Sequence, residues 1–211
     1  IRKIALTNCN VLLEGETGTG KELFARAIHR AGSKAHEKFL ALHCSTQPAE
    51  LLEAQLFGQR KGAFAGADTD QPGILLHAGA GTVFLDEVFQ LPLATQPKLL
   101  RAIEFKEIFP LGSQDPVPVQ ARIIASTTKD LMREVTEGHF HEDLFYRLNG
   151  VKICIPPLRE QLDDIPELVE FFLAKHTLAL GKRVTSVSNE TMRLLMSARW
   201  KGNVRQLDNA I

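Results

Sequence analysis

"GETGTGKE", Gly15–Glu22, decides how the rest of this chain is read. It fits the pattern G-x-x-x-x-G-K and lies between a short apolar run, "NVLLEG" (Asn10–Gly15), and a segment of helical spacing, "KELFARAIHRAGS". Glycines let a main chain curl around an anion, and the first N–H groups of the helix that follows point toward it. Lys21 adds an ammonium suited to β- and γ-phosphates. Glu22 stands where a Ser or Thr hydroxyl would serve Mg²⁺ directly. The plainer alternative is a glycine-rich turn capping a helix. A full match with the right flanks favours the phosphate loop.

A second signal is independent of the first. "TVFLDE" (Thr82–Glu87) is an apolar strand ending in two adjacent carboxylates, and open α/β sheets bind ligands at that carboxyl edge. Asp86 is placed to hold Mg²⁺ through water, and Glu87 to polarise an attacking water as general base. A DE pair after a strand is by itself more often a solvated turn. Together with a phosphate loop about 65 residues earlier it points to a nucleotide.

The surrounding pattern alternates strand and helix. "NVLLEG", "KFLALHC" (Lys38–Cys44), "GTVFLDE" (Gly81–Glu87) and "ARIIAST" (Ala121–Thr127) read as buried strands, with helical spacing over Pro48–Leu56 and Thr95–Glu104. The helix after the loop presents Leu23, Phe24, Ala27, Ile28 and Ala31 as its apolar stripe and stops at Gly32. This alternation predicts an α/β fold with a parallel sheet covered on both faces. "EIFPLGSQDPVPVQ" (Glu107–Gln120) reads as a hairpin insertion. Beyond "PPLRE" (Pro156–Glu160) the strand signals stop, and "DIPELVEFFLAKHTLALG", "NETMRLLMSARW" and "NVRQLDNAI" read as three helices. The expected division is an α/β core over residues 1–157 and a small helical domain over 158–211. The chain lacks an initial Met and stops inside a helical pattern, as a piece of a longer protein would.

Composition narrows the class. Basic and acidic residues balance at 25 each, so the basic footprint of a self-sufficient nucleic-acid binder is missing. Cys9, Cys44 and Cys154 lie far apart with no metal-ligand spacing, and are expected to be buried, reduced thiols of a cytoplasmic protein. No apolar run approaches the roughly 20 residues a membrane span needs.

"GAFAGA" (Gly62–Ala67) is the odd segment: a phenylalanine between small residues, too rich in glycine for a helix. It reads as a loop tip, with Phe64 either facing a partner or tucked back against the sheet.

With these stretches in hand, the chain resembles the central AAA+ ATPase domain of bacterial enhancer-binding proteins, the sigma-54-dependent transcription activators. The resemblance rests on "GETGTGKELFARAIH", "LFGQRKGAFAGA", "GTVFLDEV", "PKLLRAIE", "RIIASTTKDL", "FHEDLFYRLN", "IPPLRE" and "WKGNVRQLDN", in the family's order and across essentially the whole chain. It implies a P-loop AAA+ core with a helical lid, ATP and Mg²⁺ as ligands, and a homo-oligomeric ring, hexameric or heptameric. It also implies sigma-54 RNA polymerase as the partner, engaged by the loop Gly62, Phe64, Ala65 and Gly66. DNA would be met only through a domain outside this chain. Residue by residue, Gly15, Glu16, Thr17, Gly18, Thr19, Gly20, Lys21 and Glu22 fall on the phosphate loop, and Glu22 is the family's usual residue there. Asp86 and Glu87 fall on the acidic pair. Thr128 falls on the sensor of the γ-phosphate, Arg205 on the second sensor in the lid, and Arg147 on one of two arginines projected into a neighbour's site.

Four positions depart from the family pattern. Ala65 replaces the loop threonine, and Arg60 a usually acidic residue. His141 replaces the first interface arginine, and imidazole cannot make a bidentate phosphate contact. His43 replaces the asparagine expected to restrain the catalytic glutamate. The His139/His141 pair has no third ligand in the sequence for a metal.

Overall fold

A computed structural model describes residues 2–44, 48–181, 184 and 186–211. The strands are β1 (Val11–Glu14), β2 (Phe39–His43), β3 (Gly58–Gln59), β4 (Gln71–Pro72), β5 (Thr82–Asp86), β6 (Glu107–Ile108), β7 (Val117–Pro118), β8 (Arg122–Thr127) and β9 (Val151–Cys154). The α-helices are α1 (Arg2–Ala5), α2 (Lys21–Arg30), α3 (Ala49–Phe57), α4 (Ile74–His77), α5 (Gln96–Glu104), α6 (Leu131–Thr136), α7 (Glu142–Leu148), α8 (Ile165–Leu180), α9 (Asn189–Ser197) and α10 (Asn203–Ala210). By its internal packing the chain divides into two compact units, Ile1–Glu14 with Glu22–Ile153, and Gly15–Lys21 with Cys154–Ile211.

The first unit is built on a five-stranded sheet of order β2-β5-β8-β1-β9, in which β2–β5, β5–β8 and β1–β8 pair in parallel. Every residue of β8 is buried, as a central parallel strand with both faces covered requires. Leu12, Val83, Leu85, Ile123 and Ala125 join one core with α3, α5 and α7. On the opposite side Phe84 stacks on Phe39, which lies against His29 and under Arg26 of α2.

Two expectations are corrected here. The buried face of α2 carries Ala25, Ile28 and His29, whereas Leu23 is 69% exposed and Ala27 and Ala31 face solvent. His29 is polar by composition but fully partnered, with Nδ1 2.9 Å from Thr82 Oγ1 and Nε2 3.1 Å from the Glu37 carbonyl. The carbonyl fixes Nε2 as the donor, and burial holds the imidazole below its usual pKa. A stripe drawn through apolar residues alone is therefore rotated away from the true one. Strand β2, read as buried, is an edge strand with Ala41 and His43 exposed.

The hairpin insertion forms as β6–β7, joined antiparallel. Arg60 N–H donates to Leu111 O (2.8 Å) and Leu111 N–H to Gly58 O (2.9 Å), so the insertion is tied to the base of the Gly62–Ala67 loop.

The second unit has its own core of Leu158, Ile165, Val169, Phe172, Trp200 and Leu207. The Trp200 indole N–H donates to Leu195 O. Ser188 caps α9 by accepting from Thr191 N–H, and Gly181 ends α8 in the left-handed region. The cysteines are free, but only Cys44 is buried; Cys9 and Cys154 are exposed, the latter on the outer strand β9. No described helix is long and apolar enough to cross a membrane.

Candidate functional site

The residues singled out by sequence divide between the two units. Gly15–Lys21 and Arg205 fall in one; Glu22, Gly62, Phe64, Ala65, Gly66, Asp86, Glu87, Thr128 and Arg147 fall in the other.

In the first group, Gly18 has φ +82°, and a Cβ there would lie 2.2 Å from Gly202 O. The position demands glycine twice over, for backbone angle and for space. Lys21, 7% exposed, donates from Nζ to Gly15 O (3.0 Å) and Glu16 O (3.3 Å), which folds its ammonium back over the loop. Thr19 Oγ1 donates to Glu16 O at 2.8 Å. The Glu16 carboxylate is forked by Arg159 at 2.6 and 2.8 Å and receives Asn203 Nδ2 at 3.1 Å. The Arg159 hydrogen bonds, then that of Asn203, lower its pKa to about 2. Arg205 donates its backbone N–H to Gly18 O, and its side chain is exposed.

In the second group, register alone aligns His43 of β2 with Asp86 of β5, and Leu85 with Ala125 of β8. One step further, Ser126 Oγ donates to Asp86 Oδ1 and accepts from Glu87 N–H. His43 Nδ1 lies 3.1 Å from Asp86 Oδ2. Both oxygens of the candidate metal ligand are thus oriented. Glu87 Oε2 accepts from Thr128 N–H (2.9 Å) and Thr128 Oγ1 (2.8 Å). The His43 imidazole thus meets Asp86, and Thr128 holds the Glu87 carboxylate. Glu87 has φ 57°, a left-handed backbone that is strained for a residue other than glycine and gathers at functional sites. Glu22 forms an ion pair with Arg26 one turn along α2.

His141 is exposed at the start of α7, its N–H held by the buried Gln96 Oε1 at 2.8 Å. Arg147 is 57% exposed and paired with Glu104. His139 does not join His141; with Glu134 and Glu137 it forms a loose cluster whose carboxylates already face Lys129 and Arg133.

Gly62 and Gly66 have φ +81° and +100° with open space around them, and Gly62 N–H closes the loop on Ala67 O at 2.8 Å. Phe64 is half-buried, Ala65 exposed. Arg60 pairs with Asp70, which also accepts from Lys61 N–H. The contacts the sequence reading missed are those of Ser126, Arg159 and Asn203. The motifs "RIIASTT", "IPPLRE" and "WKGNVRQLDN" contain all three, but nothing in their spacing says what each side chain touches.

Residues 1–154 match the family model of the sigma-54 interaction domain, and residues 159–211 that of the AAA+ ATPase lid domain. The putative uric acid sigma-54-dependent transcriptional regulator UacR of Escherichia coli (strain K12) is 46% identical over 210 residues, 99% of this chain and 36% of its own length. The Nif-specific regulatory protein of Azotobacter vinelandii is 48% identical over 211 residues, 100% of this chain and 40% of its own. Among solved structures, NtrX from Brucella abortus in complex with ADP superposes with a TM-score of 0.91 at 36% identity, covering 99% of this chain and 45% of that one. Its complex with ATP gives 0.89, also at 36% identity, covering 99% and 47%. The chain spans less than half the length of these relatives.

Proposed function

The chain belongs to the sigma-54 interaction domain family, and from that premise we propose that it binds and hydrolyses ATP to drive a sigma-54-dependent transcription activator. The observation that carries the nucleotide reading is the loop Gly15–Lys21. Gly15 and Gly18 occupy positions where a side chain would collide, and the lysine is buried against the loop carbonyls. That backbone and that ammonium suit a polyphosphate.

In this reading residues 1–157 are the ATPase core and 158–211 the lid. Gly15–Glu22 binds the triphosphate, and Arg205 reaches the nucleotide from the lid. Asp86, an oxygen ligand steadied by Ser126 and His43, suits Mg²⁺. The metal, when bound, would offset charge on the β- and γ-phosphates. Glu87 takes the proton from the attacking water, and Thr128, which holds its carboxylate, passes γ-phosphate occupancy to it. Arg147 leaves Glu104 to serve a neighbouring subunit of a hexameric or heptameric ring in the cytoplasm. Gly62, Phe64, Ala65 and Gly66 contact sigma-54 polymerase.

The exposed His141 favours a second reading, a nucleotide-binding oligomerisation module with weak hydrolysis. Phosphate release by the purified protein across a concentration series separates the two. Turnover that rises steeply with concentration and vanishes in Lys21→Ala supports the ATPase. Lys21→Ala should also lose ATP binding by calorimetry; retained affinity would remove the loop from the site. If His141→Arg with Ala65→Thr raises turnover and open-complex formation together, the machinery is merely impaired.

A further inference from the structure

Asn203 is fully buried at the start of α10, with φ 52°. Asparagine tolerates that left-handed angle better than most side chains. An asparagine that merely caps a helix accepts from an amide in the helix's own first turn. This one does something else. Its Oδ1 accepts from Leu158 N–H at 2.9 Å, and its Nδ2 donates to Glu16 Oε2 at 3.1 Å and to Thr17 O at 3.0 Å. Both N–H donors of the carboxamide and its oxygen are engaged by segments distant in sequence. The next element of the arrangement is a helix end. The first N–H groups of a helix lack intrahelical partners, and here Arg205 N–H is satisfied by Gly18 O at 3.2 Å. Arg159, one residue beyond the Leu158 that Asn203 holds, forks Glu16 from outside. Three consecutive segments of the loop, Glu16, Thr17 and Gly18, are therefore fastened to the first turn of α10.

We propose that Asn203 is a positioning residue for the phosphate loop: its carboxamide, together with the Arg159–Glu16 ion pair, holds Gly15–Lys21 in the shape that receives a nucleotide. This rests on the nucleotide reading above. The first turn of α10 then sets nucleotide affinity through the loop backbone, separately from any contact made by the Arg205 side chain. The low pKa of Glu16 agrees, since a carboxylate so held stays charged across the working pH range.

The test has two arms. In the nucleotide-free protein, Asn203→Ala should speed amide exchange at Arg205 by about tenfold or more while Leu207, deeper in α10, is unchanged. In the second arm, binding of a fluorescent ADP should weaken about tenfold in Asn203→Ala. It should weaken further in Asn203→Asp, which removes both donors and sets a carboxylate against Glu16. Turnover at saturating ATP should stay within about threefold of wild type, because the affected step is binding. Asn203→Gly keeps the backbone angle and lacks the carboxamide, so it should weaken binding as alanine does. Wild-type affinity in the glycine variant, or unchanged exchange at Arg205 in the alanine variant, overturns the proposal. Should Asn203→Ala fail to fold, Arg159→Ala reports on the same fastening by the same two readouts. A wild-type protein that binds no ADP defeats the nucleotide reading, and the exchange arm still decides whether Asn203 fastens the loop.

Discussion

Gly18 and Gly62 have nearly the same backbone angle, φ +82° and +81°. Around Gly18 the chain is crowded, with Gly202 O where a Cβ would go and the Arg205 Cβ close by. A Cβ added at Gly62 would meet nothing within 4 Å. The phosphate loop is held largely by side chains from elsewhere, while the Gly62–Ala67 loop is held by its own main chain, by the Asp70 anchor at its foot and by backbone bonds from Leu111 to its base. The same residue type thus serves a fitted loop in one place and a hinged loop in the other. The difference suits a segment that must present a fixed ring of amides, against one proposed to reach toward a partner.

The sharpest way to break this contrast is alanine at both glycines. Gly18→Ala combines a left-handed angle with a backbone collision, and should cost about 3–5 kcal/mol in denaturant unfolding and lose measurable nucleotide binding. Gly62→Ala meets only the angle, and should cost about 1–2 kcal/mol. Equal effects would mean the two loops are built alike. A smaller effect is expected at the anchor. Asp70→Asn weakens the hold on Arg60 and Lys61 at an exposed site, so melting should barely move while trypsin cleaves after Lys61 several-fold faster. The smallest effect is a matter of pH. With its folded pKa lowered to about 2, Glu16 adds stability that is complete above about pH 4.5 and fades as pH falls toward 2. Carboxyl NMR should place its midpoint near 2 and return it toward the usual glutamate range in Arg159→Ala.

Strands β1, β5 and β8 were legible because burial on both faces leaves apolar runs, and α8–α10 because their spacing is helical. Strand β9 was not. "VKIC" is four residues long and turns Lys152 and Cys154 outward, so no run survives. Cys9 and Cys154 are exposed although free thiols are usually buried, and their spacing carries no sign of it. The phosphate loop was legible as a motif, and the positive φ of Gly18 and Gly20 fits it. Its fastenings were not, because the contacts of Glu16 with Arg159 and Asn203 cross more than 140 residues of chain. The His43–Asp86 contact comes from strand register, which the family pattern, pointing to Glu87, did not convey.

The two backbone hydrogen bonds between Leu111 and the Gly58–Arg60 segment have a mechanical consequence. Main-chain bonds of this kind bend little before they break. Displacement of the Gly62–Ala67 tip should therefore reach the β6–β7 hairpin, whose Glu107 is paired with Arg101 of α5.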